Sequence, residues 1–252
     1  CNKWYCRIDE PSGSISMKTG KYLNANLITE GLPINDVQTL YHEFFYRKDY
    51  TWYRDVNPGD VVVDIGACVG FFTCHALDHS ASRIVSVEPS KQHLKTLLRN
   101  VSDYYIDNQS CPVEPIHAGI GSTANHFENV FSDSKSGYEK MSFLDLVVDY
   151  NIPKIDYLKI DCEGGEYGIF TDINFPYLRQ QVKHIAVEFH LDAYSGCVHN
   201  WKKFRDGLLQ KFDTNQVRFL EHEDREKAYD DNFLNAGDFS KWSSFMLYIT
   251  NS

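Results

Sequence analysis

The stretch Val61-Val62-Val63-Asp64-Ile65-Gly66-Ala67-Cys68-Val69-Gly70, followed by Arg83-Ile84-Val85-Ser86-Val87-Glu88, decides how this chain is read. An apolar run ends in an acid, breaks into a glycine-punctuated loop, opens a helix, and is followed by a second apolar run that also ends in an acid. That is the outline of a unit that holds a nucleoside. Glycines let backbone approach a ligand closely, and Glu88, about 20 residues beyond the loop, can accept hydrogen bonds from both hydroxyls of a ribose.

The spelling of the loop narrows the ligand. A dinucleotide fingerprint reads G-x-G-x-x-G, whereas here Gly66 and Gly70 flank Ala67, Cys68 and Val69, and Asp64 stands before them. An acid in that place repels a phosphate and suits a cation. S-adenosylmethionine carries an ammonium and a sulfonium but no phosphate, so the expectation is that Asp64 faces its methionyl end while Glu88 holds its ribose.

At 252 residues the chain fits one large α/β domain with a real core. Its net charge of -10, with no lysine-arginine run, does not favour a polyanion-binding stripe, so nucleic acid is not the expected partner. No apolar stretch approaches the ~20 residues that span a bilayer, and the opening residues lack the basic start and apolar middle of a signal peptide. A cytoplasmic setting is therefore expected. The cysteines at positions 1, 6, 68, 74, 111, 162 and 197 are odd in number and show neither metal spacing nor a paired framework, which reads as reduced thiols. No metal is expected from any linear motif.

Residues 1–55 read as a lead-in layer packed on the core and a candidate wall for a substrate pocket, with 56–252 as the main domain. Pro33 precedes Asn35-Asp36, which can cap a helix whose apolar face is Val37, Leu40, Tyr41, Phe44 and Phe45. Tyr46, Tyr50, Trp52 and Tyr53 follow and are expected to sit beside the nucleoside loop. From Asp60 strands and helices alternate, which argues for a mostly parallel sheet with helices on both faces. Strands are expected at 60–65, 83–88, 113–118, 155–161 and 182–190. Helices are expected at 69–79, from Ser90 with Leu94, Leu97, Leu98 and Val101 buried, at 142–150 behind a Ser142-x-x-Asp145 capping box, and along Trp201, Phe204, Leu208 and Leu209. Gln216–Leu220 and Ser244–Ile249 read as an antiparallel hairpin at the sheet edge, joined by an acid-rich connection.

Chemistry concentrates a second time at Leu158-Lys159-Ile160-Asp161-Cys162-Glu163-Gly164-Gly165-Glu166. Strand alternation puts Tyr157, Lys159 and Asp161 on one face, with Asp161 at the carboxyl end where open α/β sheets bind ligands. Glu163 and Glu166 share a face at the start of the next helix, whose dipole stabilises their charge.

These two segments, with Val87-Glu88-Pro89-Ser90 and Leu97-Leu98-Arg99-Asn100 between them, resemble the FkbM family of S-adenosylmethionine-dependent methyltransferases in spelling, order and spacing, over roughly residues 58–190. The family usually has Asn where Cys68 stands and Ala where Gly165 stands. The resemblance implies a Rossmann-like α/β methyltransferase fold: a mostly parallel seven-stranded sheet with an antiparallel edge hairpin and helices on both faces. It also implies O-methyl transfer to a hydroxyl of a sugar, glycan or small metabolite. Asp64, Gly66, Ala67, Cys68, Gly70, Glu88, Pro89, Ser90, Gly119 and Asp161 are the expected cofactor-binding residues.

Alignment of an oxygen with an activated methyl can supply roughly 7–11 kcal/mol of the barrier, but a hydroxyl must still lose its proton. Asp161, Glu163 and His190, which ends the strand Ile185–His190, are the candidate catalytic residues. Cys162 reads as packing. Two other readings compete. An RNA ribose 2'-O-methyltransferase would use a Lys-Asp-Lys-Glu tetrad, of which Asp161 and Glu221 could fill two places, but Glu188 and His190 stand where the second lysine belongs. A non-catalytic Rossmann-like binding module is the other.

Overall fold

β4 (Val61–Ile65) is buried over four of its five residues because it pairs in parallel on both sides, with β5 (Arg83–Val87) and with β9 (Ile155–Ile160). The computed structural model describes residues 27–102, 111–121, 138–190 and 244–251, with short pieces at 8–9, 14–15, 207–208, 210–212 and 217–220; β1 (Ile8–Asp9), β2 (Ser14–Ile15) and β3 (Leu27–Ile28) form a separate antiparallel sheet ahead of β4. The seven-stranded sheet is completed by β6 (Val113–Ile116), β10 (Val182–His190), β11 (Val217–Leu220) and β12 (Ser244–Thr250), in the order β11-β12-β10-β9-β4-β5-β6. Six strands run one way and β12 runs against them, antiparallel to both β10 and β11. The expected hairpin pair is present. Its last strand, however, is inserted beside β10, leaving β11 at the edge.

The chain leaves β4 towards β5 and β6, then returns to β9 on the other side of β4. The loops after β4 and β9 therefore diverge, opening a crevice at the carboxyl ends of these two strands.

Strand alternation sorts the core into two halves. Val63, Val85, Leu158 and Ile185 meet Phe143, Leu146, Phe175 and Leu178 on one face. Val62, Ile84, Tyr157 and Ala186 meet Phe44, Phe71, Phe72 and Leu97 on the other. The helices behind these contacts are α1 (Ile34–Tyr41), α2 (Phe71–Asp78), α3 (Lys91–Asn100), α4 (Phe143–Asp149), α5 (Glu166–Ile169) and α6 (Phe175–Gln180). The capping box on α4 forms as read, with the Ser142 hydroxyl accepting from the Asp145 N–H.

Several local expectations shift. Pro33, not Asn35, occupies the cap position of α1 and makes no side-chain cap, while Asp36 complements the dipole within the first turn. α1 then runs into a π-helical turn, His42–Arg47, closed by Lys48 at φ 56°. On α3, Leu97 and Val101 are buried but Leu98 is exposed. The buried face takes Asn100 instead, because its amide bonds the backbone N–H and C=O of Ile28 and the C=O of Val69. The third strand ends at Ile116, and β7 (Ala118–Ile120) pairs separately with β8 (Glu139–Met141). Most of the stripe at 201–209 and the acidic connection with Glu221 lie outside the described residues.

The lead-in layer is tied down by the sheet itself. Phe44, Tyr50 and Val56 share a core cluster with Phe71, Tyr157 and Tyr248. The hydroxyls of two buried sheet tyrosines, Tyr157 and Tyr248, donate to the backbone carbonyls of Tyr50 and Asp49.

Two buried polar groups give stability tests. Register places Lys159 directly opposite Asp64 on the same face, with an ion pair of 3.4 Å at 4% and 0% exposure. Lys159→Met leaves buried acid uncompensated and should cost roughly 3–5 kcal/mol in a denaturant titration, part of it recovered by adding Asp64→Asn. An unchanged midpoint would refute the pairing. His184 is fully buried among Tyr53, Tyr157 and Tyr248, and burial pushes its pKa down to about 3. The unfolded chain binds this proton near pH 6.5 and the folded one refuses it until about pH 3. Stability is thus complete above about pH 6.5 and falls as pH drops towards 3. His184→Phe should lose about 3 kcal/mol less than wild type between pH 7 and pH 4. Equal losses would show that this histidine does not set the slope.

Candidate active site

The loop after β4 is built from backbone. The N–H groups of Gly66 and Ala67 both donate to the Val87 carbonyl, at 2.9 and 3.0 Å, which folds the loop over the end of β5. Gly66 has φ 77°, and a Cβ there would lie 1.6 Å from the Asp161 carbonyl oxygen, so only glycine lets the ends of β4 and β9 meet. Cys68 holds φ 50°, a left-handed conformation that asparagine tolerates better than most residues. That gives a backbone reason for the asparagine usual in the family.

Glu88 is the pivot of the nucleoside end. Its carboxylate accepts from the Cys68 N–H and the Ser90 N–H, both at 2.8 Å, and it is 3% exposed yet lines the cavity. Its geometry is therefore fixed before any ligand arrives. Ser90 caps α3 by accepting from the His93 N–H. Gly66, Cys68, Pro89 and Gly119 also line the cavity, whereas Ala67, Gly70 and Ser90 are not among its lining residues.

Asp64 is placed differently from the expectation. It lies wholly buried below the loop, accepting from the Thr73 hydroxyl at 2.8 Å and facing Lys159, and is not among the lining residues. Lys159 joins three parts of the site: Nζ donates to the Gly66 carbonyl at 2.7 Å, lies 3.4 Å from Asp64 and 3.7 Å from Asp161, and sits 5.1 Å from the centre of the Tyr50 ring. Burial works against its charge, but the two aspartates outweigh that and hold its pKa above the usual lysine range.

At the other end Asp161, Glu163 and His190 come together as the sequence reading grouped them. His190 Nε2 lies 4.0 Å from Asp161 Oδ1 and 3.5 Å from Glu163 Oε2, while Nδ1 meets Glu166 Oε1 at 3.1 Å. Burial lowers the histidine pKa, but Glu166, Glu188 and Asp161 raise it further, well above the ordinary histidine range. The Tyr50 hydroxyl lies 2.7 Å from Asp161 Oδ2 and 3.0 Å from Glu188 Oε2. One phenolic proton serves only one of them, and burial, with Glu188, keeps the Asp161 pKa raised despite Lys159. Burial likewise pushes Glu43 up to about 8, reinforced by Glu188. The Cys162 thiol is raised by burial and by Glu166, which keeps it a packed thiol and no nucleophile.

Four participants, Lys159, Glu43, Glu166 and Glu188, were not among the cofactor-binding or catalytic residues expected from sequence. Two had a local signal. Asp36, Thr39 and Glu43 follow i, i+3, i+7 along α1 and the π-helical turn after it, and line the cavity with Leu40 of the neighbouring apolar stripe. Glu188 shares the face of His190 by strand alternation. Glu166, by contrast, is 0% exposed only because the turn after β9 folds it under His190.

The cavity measures about 380 Å³. Six carboxylates line it, those of Asp36, Glu43, Glu88, Asp161, Glu163 and Glu188, and among the described residues no lysine or arginine does. Such a surface accepts hydrogen bonds and attracts cations. Donor atoms of Asp161, Glu163 and His190 lie within 4.8 Å of one another, as do those of Asp55, His75 and His79 at the end of α2. The sequence reading grouped Asp161, Glu163 and His190 as catalytic candidates without a metal, and did not mark Asp55, His75 and His79.

Comparison with known proteins identifies the family. The profile of the methyltransferase FkbM domain matches residues 64–229, more than half of the chain. The crystal structure of a methyltransferase FkbM from Methylobacillus flagellatus superposes with a TM-score of 0.52 at 17% identity. The match covers 83% of this chain and 47% of that one, so this chain spans about half its length. A fibrillarin from Aeropyrum pernix, solved with natively bound S-adenosyl-L-methionine, aligns at 14% identity and a TM-score of 0.45 over 81% of this chain and 72% of its own. No functionally curated protein matches the chain. With that domain profile, the Rossmann-like sheet and the loop motifs in register, the chain belongs to the FkbM family of S-adenosylmethionine-dependent methyltransferases.

Proposed function

We propose that this chain methylates a hydroxyl of a sugar, glycan or small polyhydroxy metabolite. The observation that supports it most is the cavity with a backbone-anchored carboxylate, Glu88, at one end and the Asp161–Glu163–His190 cluster at the other. When bound, S-adenosylmethionine supplies an electrophilic methyl on a cationic sulfur. Glu88 would hold its ribose hydroxyls, Pro89 and Gly119 its base, and the Gly66–Cys68 loop its methionyl end. Asp64 acts through Lys159, which holds the loop carbonyl and Asp161 in place. Ala67, Gly70 and Ser90 shape the backbone around these contacts.

The acceptor follows from the lining. Glu43, pushed up to about 8, keeps its proton at neutral pH, while the ionised carboxylates beside it accept hydrogen bonds and donate none, so they suit a ligand rich in hydroxyl donors and repel one rich in phosphates. That argument sets RNA behind polyhydroxy acceptors. Asp161, Glu163 and His190 orient the reacting hydroxyl, and the carboxylates take the proton it sheds, since His190 already holds its own. The lead-in residues Asp36, Thr39 and Glu43 form the wall the acceptor passes.

Calorimetry with S-adenosylmethionine and its demethylated product tests the cofactor end. Glu88→Ala should weaken binding by roughly 1.5–3 kcal/mol, and no binding of either compound by wild type at millimolar concentration would sink the enzyme reading. A labelled-methyl screen tests the other end: label on glycans or polyols supports the acceptor class, and label confined to RNA overturns it. On a working acceptor, His190→Ala should lower turnover by much more than it lowers cofactor affinity; unchanged turnover would remove His190 from the chemistry.

A further inference from the structure

We propose that Asp161, Glu163 and His190 hold a divalent cation whose remaining coordination positions face the cavity and take two neighbouring oxygens of the acceptor. This rests on the cofactor and acceptor placement above.

Spacing is the first argument. Nε2 of His190 lies 3.5 Å from Glu163 Oε2 and 4.0 Å from Asp161 Oδ1. Direct charge-assisted hydrogen bonds close to about 2.7–2.9 Å, whereas donors sharing one ion at about 2.1 Å stand roughly 3–4 Å apart. The observed separations suit the shared ion better.

Orientation is the second. Glu166 is 0% exposed and holds the other ring nitrogen, Nδ1, at 3.1 Å, while its Oε1 also accepts from the Cys162 N–H. A buried carboxylate on Nδ1 fixes the ring and presents Nε2 as a ligand, the arrangement found behind metal-bound histidines. Charge is the third. Asp161, Glu163, Glu166 and Glu188 gather around His190 with Lys159 as the nearby lysine, and Lys159 is already engaged by Asp64 and the Gly66 carbonyl. A divalent ion neutralises this excess. Two carboxylates and one imidazole suit Mn²⁺ and its neighbours, and three protein ligands leave positions open for substrate. A vicinal diol fits those positions.

The test is titration of the full chain with Mn²⁺, following loss of the free-ion paramagnetic resonance signal, with cofactor-product binding measured in parallel by calorimetry. The expected result is one tight Mn²⁺ per chain, weakened at least tenfold by Glu163→Gln and by His190→Gln, and 10- to 100-fold by Glu166→Gln. Asp55→Asn, in the separate group with His75 and His79, should leave it unchanged. Glu163 is half-exposed, so its variant is expected to fold, and circular dichroism checks this. No Mn²⁺ binding, or binding that only Asp55→Asn removes, overturns the proposal. If the demethylated cofactor still binds in that case, the methyltransferase reading stands without the metal.

Discussion

Everything in the candidate site hangs on a buried cation, Lys159. An ammonium at 4% exposure is held charged by Asp64 on one side and Asp161 on the other, and donates to the carbonyl of Gly66 between them. Desolvating these three charges is costly and is offset only because the geometry satisfies them together. The register of β4 on β9 creates that geometry, with Asp64 opposite Lys159. The cofactor loop, the strand end that carries Asp161 and the charge balance of the crevice are therefore set by one pairing of two parallel strands.

From that pairing the lead-in layer takes its place. The Tyr50 ring lies over the ammonium, its hydroxyl reaches Asp161 and Glu188, and its backbone carbonyl is bound by Tyr157. A segment that precedes the first strand of the main sheet thus closes over the site, and α1 with the π-helical turn after it supplies Asp36 and Glu43 to the cavity wall. The result is a cavity with carboxyl groups at both ends. Among the described residues, no helix is long and apolar enough to cross a membrane.

How much was legible beforehand varies with the range of the interaction. The β4 and β9 segments, the Ser90 and Ser142 caps and the glycine loop depend on neighbours within a few residues, and their spelling states them. The grouping of Asp161 with His190 was also readable, since both end parallel strands at one sheet edge. Asp64 was misjudged because its charge was read without Lys159, and on sequence alone an acid before a glycine loop looks free to face a ligand. Leu98 was misjudged because a helical stripe two residues wide does not say where its centre lies, and Asn100 decided that by bonding Ile28 and Val69.

The sequence by itself determined the α/β sheet, the nucleoside loop and the family, because periodicity, glycine conformations and motif spacing are local properties of the chain. Only the tertiary structure decided which charges meet. Tyr50, Lys159, Glu166, Glu188 and His190 come from four separate segments, and the cost of burying each depends on partners that chain folding alone brings within reach. The sequence could supply six acids for a cavity, but only packing could place Lys159 under one end and Glu166 behind the other.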